Sequence, residues 1–388
     1  MKNETEEQND GPRRAPEGLA GLVVADTTIG GVRGDEGYFH YREHDATGLA
    51  ATKTFEEVWH LLTTDHLPAA DELERFTKLV TEARVLESVT SELARSIAVA
   101  TEMSEPLGAL RTAISATAAI RRLTAWLDRP HDDVRAELLG VAASVSSLLI
   151  EMWAAVDDRA AAIEPTGSIA RDLLAGITGI EPPDAHVAAL ERYLILTMDH
   201  GFNASTFTAR VIASTAADVG GAMTGAMASL SGPLHGGAPA LVLDMLEEIA
   251  TPDRARDWVK STLARGERIM GFGHRVYRTE DPRAALLKKT ALDIGGPLPE
   301  LAVEVEAVVL DELNKHRPDR ALRTNVEFYA GVVLHQIGLP QRLFTGVFAV
   351  SRAVGWSAHV AEQLVGNKII RPASLYVGQE PHAAEPAA

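Results

Sequence analysis

Residues 231–246 read Ser-Gly-Pro-Leu-His-Gly-Gly-Ala-Pro-Ala-Leu-Val-Leu-Asp-Met-Leu. Val242, Met245, Leu246 and Ile249 recur at i, i+3, i+4 and i+7, the spacing of one apolar helix face. Pro239 suits the first turn of that helix. His235 therefore stands just ahead of a helix N-terminus, in a glycine run that permits close approach of backbone to a ligand. The positive end of the helix dipole favours the neutral imidazole, which can donate a hydrogen bond to a developing oxyanion. A simple glycine-rich loop between two helices reads the same way, so both meanings stand at this point.

Working outward, the chain reads as mainly helical. Thr54-Phe-Glu-Glu57 has the capping-box form and opens a helix that closes near Leu67-Pro68. Asp71–Thr90, Ser91–Met103, Leu107–Leu127, Asp132–Val156, Ser168–Leu174 and Asp184–Thr197 continue the pattern. Thr251-Pro252 restarts a helix that Gly266 ends. Glu300–Lys315, Asn325–Ile337 and Pro340–Leu364 follow. Leu22–Ile29, Gly37–Tyr41 and Ser374–Val377 read as short strands. Gly220–Leu230 (GGAMTGAMASL) is helix-like but built from small side chains. It fits tight packing within one subunit and a subunit contact equally.

Thirteen histidines are present. His60, His66, His186, His316 and His335 lack special neighbours and read as structural or solvated. Three others adjoin glycines: His200 in Asp-His-Gly-Phe-Asn, His235, and His274 in Gly-Phe-Gly-His-Arg-Val-Tyr. Arg275, Arg278 and Arg283 crowd behind His274, and Arg352 and Arg371 lie in Ser-Arg-Ala-Val-Gly and Ile-Ile-Arg-Pro. Arginine pairs bidentately with carboxylates and phosphates, so such clusters suggest anion sites. Ordinary surface ion pairs explain any single one of them. Glu327, in Thr-Asn-Val-Glu-Phe-Tyr, is the candidate base. Thr324-x-x-Glu327 is also a capping-box pattern, which makes a purely structural glutamate the competing reading.

Composition excludes several classes. The 388 residues carry 37 Lys+Arg against 54 Asp+Glu, a net charge of -17 that repels nucleic acid and anionic membranes. No cysteine is present, which excludes disulfides, thiolate catalysis and cysteine metal sites. A reducing cytoplasm is the expected location. No P-loop, H-E-x-x-H, EF-hand loop or G-x-S-x-G occurs. The arginines around His200, His235 and His274 argue against a cation there, so no metal is expected. The apolar stretch Gly140–Val156 is interrupted by Glu151 and reads as a buried helix rather than a membrane span. Residues 1–16 and 379–388 are polar and read as disordered tails.

The motifs DHGFNASTFTARVIAST (199–215), SGPLHGGAPALVLDML (231–246), MGFGHRVYRTEDPRA (270–284), TNVEFYAG (324–331), SRAVGWSAH (351–359) and GNKIIRPASLYVG (366–378) together resemble the citrate synthase family. The resemblance runs from about residue 17 to 378 and keeps the motif order. It implies a two-domain helical fold closing over a cleft. Residues 17–236 and 331–378 would form the large domain and 237–330 the small one. It implies condensation of acetyl-CoA with oxaloacetate and hydrolysis of citryl-CoA, without a cofactor. Propionyl-CoA, giving 2-methylcitrate, is the nearest alternative. A non-catalytic paralogue that binds CoA or a dicarboxylate is a more distant one, and a citryl-CoA lyase module is disfavoured because no CoA-ligase region is attached.

By the same resemblance, His235 would stabilise the enolate, Glu327 would remove the methyl proton and His274 would polarise the ketone. His200, Arg283, Arg352 and Arg371 would hold the oxaloacetate carboxylates, with Arg371 reaching the neighbouring site of a homodimer. Arg278, with Gly271 and Gly273, would meet CoA. The family's usual base is Asp, so Glu327 is one methylene longer than expected. The chain also lacks the N-terminal extension of the NADH-regulated forms, so that regulation is not expected.

Overall fold

The computed structural model describes residues 14–159, 164–235, 238–274, 277, 279–316 and 322–379. Among them the fold is helical, with one small antiparallel sheet near the N-terminus. Strands β1 (Gly30–Arg33), β2 (Tyr38–Tyr41) and β3 (His44–Asp45) pair in that order. Pairing of β1 on β2 requires glycine at its first position, because a Cβ on Gly30 would lie 2.3 Å from the His40 carbonyl oxygen. Phe39 and Tyr41 point inward from β2 and are buried.

The first expected strand, Leu22–Ile29, does not form. Leu22, Val23 and Val24 stay exposed, and pairing begins only at Gly30. Ser374–Val377 likewise forms no strand, and Leu375, Tyr376 and Val377 are exposed. β-propensity without a neighbouring strand does not make a sheet.

Helices α1 (Ala46–Thr52) and α2 (Phe55–Thr64) follow the sheet, and α2 carries the expected Thr54–Glu57 capping box. The stretch read as Asp71–Thr90 divides into α3 (Ala70–Ala83) and the start of α4 (Ser88–Thr101). At the break Arg84 turns inward to a buried ion pair with Asp172, 2.7 Å away. Helix α5 (Pro106–Ile120) stops before the expected Leu127. There Arg122 takes a left-handed conformation, and the Trp126 indole donates to the Ala213 carbonyl.

Helix α6 (His131–Val156) is long and apolar enough to cross a membrane, yet most of it is buried inside the fold. Glu151 within it accepts from Ser91 and pairs with Arg95. Helices α7 (Ile169–Thr178) and α10 (Val219–Leu230) pack against it, with α8 (Asp184–Thr197) on α7 and α9 (Ala204–Ser214) on α10. The small residues of α10 serve packing inside the chain: a Cβ on Gly220 would lie 2.1 Å from the Ala118 Cβ, and one on Gly225 2.1 Å from Ile212.

Helices α11 (Ala238–Ile249), α12 (Pro252–Ala264), α13 (Pro282–Ile294), α14 (Pro297–His316) and α15 (Val326–Gln336) pack largely on one another. They meet the rest mainly where α13 and α15 touch α8 and α11 touches α16 (Phe344–Leu364). Helix α16 runs through the core against α6, α8 and α9. Its Gly355 passes so close to α8 that a Cβ would lie 2.3 Å from the Met198 carbonyl oxygen.

Candidate active site

The site is built where four helix ends meet. Helix α8 delivers Asp199 and His200. Just beyond them Asn203 caps α9, its side chain accepting from the Thr206 N–H. This cap turns the first N–H groups of α9 toward His235. The Ser205 backbone N–H donates to His235 Nε2 at 3.2 Å, and the Ser205 hydroxyl lies 2.8 Å from the same nitrogen. The Trp356 indole donates to that hydroxyl, tying it to α16.

A backbone N–H can only donate, so His235 Nε2 is the unprotonated nitrogen and Nδ1 carries the proton. Burial, and then the charge on Arg352, lowers the His235 pKa and keeps the ring neutral. The helix terminus that holds it is that of α9, whereas the sequence suggests the helix after His235. The positive end of α9 still disfavours the imidazolium, as expected.

His274 follows Gly271 and Gly273, both left-handed at φ +84° and +88°. These glycines dock the loop on the entry to α15. The Gly273 N–H donates to the Arg323 carbonyl, and Gly271 and Gly273 carbonyls accept from Asn325. A Cβ on Gly271 would lie 2.9 Å from Phe328. The polar contacts described for the two glycines are thus internal to the fold. Arg278 lies outside the described residues.

The Tyr277 backbone N–H donates to His274 Nδ1 at 2.9 Å, which leaves the proton of the neutral ring on Nε2. Arg283 Nη2 stands 3.2 Å from that Nε2. A guanidinium can only donate, so this contact and the Tyr277 N–H compete for the single lone pair of the neutral ring. The Tyr277 contact is the shorter, and with Nε2 protonated an oxygen between the two groups would accept from both. Burial, followed by the charge on Arg283, lowers the His274 pKa to about 4.

Arg283 is oriented by Asp281, the N-cap of α13. The Asp281 carboxylate accepts from the Arg283 N–H, Nε and Nη2 at 2.9–3.0 Å, and from the Val326 N–H at 3.1 Å. Asp281 thereby fixes Arg283 and the first turn of α15 together. Burial pushes its pKa up, but Arg283 outweighs this and holds it below the usual carboxylate range. Arg352, buried in α16, donates from Nε to the Thr197 carbonyl at 2.8 Å. The His200 ring lies 5.8 Å from that of His274 and 5.9 Å from Phe39. Burial, then Arg283 and Arg352, keeps His200 far below its ordinary pKa.

Glu327 sits in the first turn of α15, half-buried. Asn325, not Thr324, is the N-cap, and it accepts from the Glu327 N–H. The Thr324 hydroxyl donates instead to Glu306. The capping-box reading of Glu327 therefore fails, and its carboxylate is not spent on its own helix. Burial raises its pKa to about 7, against the opposing charges of Arg283 and Arg352. Arg371 stands apart from this cluster, in the exposed segment after α16.

Behind the site lies a network that the sequence does not single out. His359 Nε2 donates to Asp199 Oδ1 at 3.2 Å, and Arg210 Nη1 donates to His359 Nδ1 at 3.3 Å. Asp199 Oδ2 accepts the Gly201 N–H, which fixes the turn beside His200. Within the motifs, the available signals are the Asp before His200, the Asp of Asp-Pro-Arg and the His that closes SRAVGWSAH.

A family model described as citrate synthase, C-terminal domain, matches residues 18–373. The citrate synthase of Haloferax volcanii is 37% identical over 371 residues, covering 94% of this chain and 96% of that protein. The crystal structure of citrate synthase from Thermotoga maritima superposes with a TM-score of 0.81 at 32% identity, covering 95% of this chain and 98% of that one. The Thermoplasma acidophilum citrate synthase, in ternary complex with carboxymethyl coenzyme A and oxaloacetate, gives a TM-score of 0.86 at 27% identity, with the same coverage. By its full-length match in sequence and its helical fold, the chain belongs to the citrate synthase family.

Proposed function

We propose that this chain condenses acetyl-CoA with oxaloacetate and hydrolyses the resulting thioester to citrate and CoA. One observation carries the reading: a half-buried carboxylate with a pKa of about 7 shares a site with two neutral imidazoles whose proton positions are fixed by backbone amides. A thioester methyl group is a very weak acid. Removing its proton needs a positioned base and stabilisation of the oxyanion that forms.

Glu327 takes the methyl proton, and His235 Nδ1–H donates to the thioester oxygen. The new carbon–carbon bond forms at the ketone carbon of oxaloacetate. His274 Nε2–H and Arg283 meet the ketone oxygen, which gains a proton as the alkoxide forms. Arg283, Arg352 and His200 hold the carboxylates. Water then cleaves the thioester and releases CoA. No cofactor enters these steps.

Residues 237–330, which take in α11–α14 and the start of α15, form the smaller moving body in this reading. Closure would bring His274 and Glu327 onto His200 and Arg352 and exclude water. Arg371 acts across a homodimer. The exposed Ile369, Leu375, Tyr376 and Val377 beside it support an arm that lies on a second copy. Arg278 remains the proposed contact to CoA, and Gly271 and Gly273 contribute by shaping its loop.

The test is CoA release, followed with a thiol reagent, from acetyl-CoA and from propionyl-CoA, each with and without oxaloacetate. The cysteine-free chain adds no background. Oxaloacetate-dependent release favouring acetyl-CoA is expected. Preference for propionyl-CoA would assign 2-methylcitrate synthesis. Release from neither would overturn the reading in favour of a binding protein.

A further inference from the structure

Tyr277 touches both imidazoles on the oxaloacetate side of the site, through different atoms. Its backbone N–H donates to His274 Nδ1, and its phenol oxygen lies 3.1 Å from His200 Nε2. Its ring stands 4.7 Å from the His274 ring and 5.6 Å from that of His200. The Arg283 guanidinium lies over the same ring at 5.7 Å. The side chain is 5% exposed. Burial pushes the hydroxyl pKa up, so the group is a phenol with a proton to place.

A phenol has one proton, and a neutral imidazole has one lone pair. Among the described residues His200 Nε2 is the only hydrogen-bond partner of the Tyr277 hydroxyl. If His200 Nε2 donated to the phenol, the phenol proton would be left in a buried site without an acceptor, which is unfavourable. The O–H therefore donates to Nε2, and the His200 proton resides on Nδ1.

We propose that Tyr277 is a positioning residue that sets both imidazole tautomers: Nε2–H on His274 through its main chain, and Nδ1–H on His200 through its phenol. The proposal rests on the reading that these two rings face oxaloacetate. Each ring then offers one N–H to an anionic keto acid, and neither turns a lone pair toward it. The Arg283 charge stacked on the phenol ring adds a third contact to the same positioning element.

The test is Tyr277→Phe in the full chain with 15N-labelled histidine. Phenylalanine keeps the ring and the backbone amide and removes only the hydroxyl. Long-range proton–nitrogen spectra report each ring's tautomer, with His200→Gln and His274→Gln identifying the resonances. In the wild type, His200 is expected to be protonated on Nδ1 and His274 on Nε2. In Tyr277→Phe, His200 becomes a tautomer mixture while His274 is unchanged. KM for oxaloacetate rises about tenfold, the scale of one lost hydrogen bond, with kcat and the KM for acetyl-CoA within about twofold.

An Nε2-protonated His200 in the wild type would overturn the proposal. So would an unchanged His200 in Tyr277→Phe, or a shift of both rings together, which marks general loosening. The tautomer measurement needs no turnover. A wild type without condensation activity would thus sink the functional reading, while the spectra still judge Tyr277. If the variant does not fold, the wild-type tautomers alone decide.

Discussion

Asp281 and Glu327 are acidic residues of one site, and they are held in opposite ways. Asp281 accepts four hydrogen bonds, three of them from Arg283. Asp199, on the far side, accepts from His359 and Gly201. Burial acts on all three, yet both aspartates titrate below the ordinary range and Glu327 is raised to about 7. The difference is the donors. Among the described residues none donates to the Glu327 carboxylate. A carboxylate surrounded by donors is a fixed anion that orients its neighbours. A carboxylate left without them is a base of useful strength.

The largest effect that would break this contrast is on turnover. Glu327→Gln keeps the shape and removes the base, and kcat should fall about a thousandfold, within the range of general-base catalysis. Oxaloacetate binding, measured by calorimetry, should be retained. An active Glu327→Gln would mean that the donor-free carboxylate is not the base. Asp281→Asn attacks the other side. It leaves Arg283 buried without its counter-charge and loosens the first turn of α15. Loss of about 3 kcal/mol in denaturant unfolding is expected, together with a raised KM for oxaloacetate. A change in kcat alone would show that Asp281 does chemistry rather than orientation.

A smaller effect tests how the wired side is packed. Gly355 lets α16 meet the end of α8, which places Arg352 on the Thr197 carbonyl and His359 on Asp199. Gly355→Ala forces a Cβ against the Met198 carbonyl, so one of the two helices must shift. A cost of about 2 kcal/mol in unfolding is expected, in the range of overpacking. Oxaloacetate affinity should fall with it. Stability lost without any loss of affinity would show that the wired side does not depend on this approach.

These contrasts also mark what the sequence can tell. Elements fixed by short-range signals are legible in it: the Thr54–Glu57 capping box, the bounds of α8 and the apolar face of α11. The expected strands at Leu22–Ile29 and Ser374–Val377 do not form, because strand formation depends on a partner that local sequence does not contain. Helix α13 escapes a sequence reading because its opening Asp-Pro-Arg looks like part of an arginine cluster. The residues of the candidate site are legible as glycine-flanked motifs. Their supports are not, because they come from far along the chain. His359 reaches Asp199 across 160 residues, and Tyr277 reaches His200 across 77. No spacing rule records that His235 is held by α9 rather than by the helix that follows it.

The pH dependence of stability is the most direct test of the contrast, because the two kinds of carboxylate give opposite signs. Glu327 holds its proton more tightly folded than unfolded, with its pKa raised from 4.5 to about 7. The native state therefore binds more protons across that window, and stability falls as pH rises through it. Asp199 and Asp281, lowered in the fold, give stability that is present above the ordinary carboxylate range and is lost as pH falls through their folded values. His200, His235 and His274 are depressed as well, and they add stability as pH rises toward the ordinary histidine value. Their contribution is common to wild type and Glu327→Gln, so the difference between the two curves isolates Glu327. Unfolding measured from about pH 5 to 8 should show the variant gaining about 1–3 kcal/mol relative to wild type as pH increases, since each tenfold difference in proton affinity between the folded and unfolded carboxyl is worth ~1.4 kcal/mol. The acid limb of kcat/KM in the wild type should rise through the same region, at a pH of about 7. Parallel stability curves would mean that Glu327 is ionised like its neighbours, and that a lack of donors is not what sets it apart.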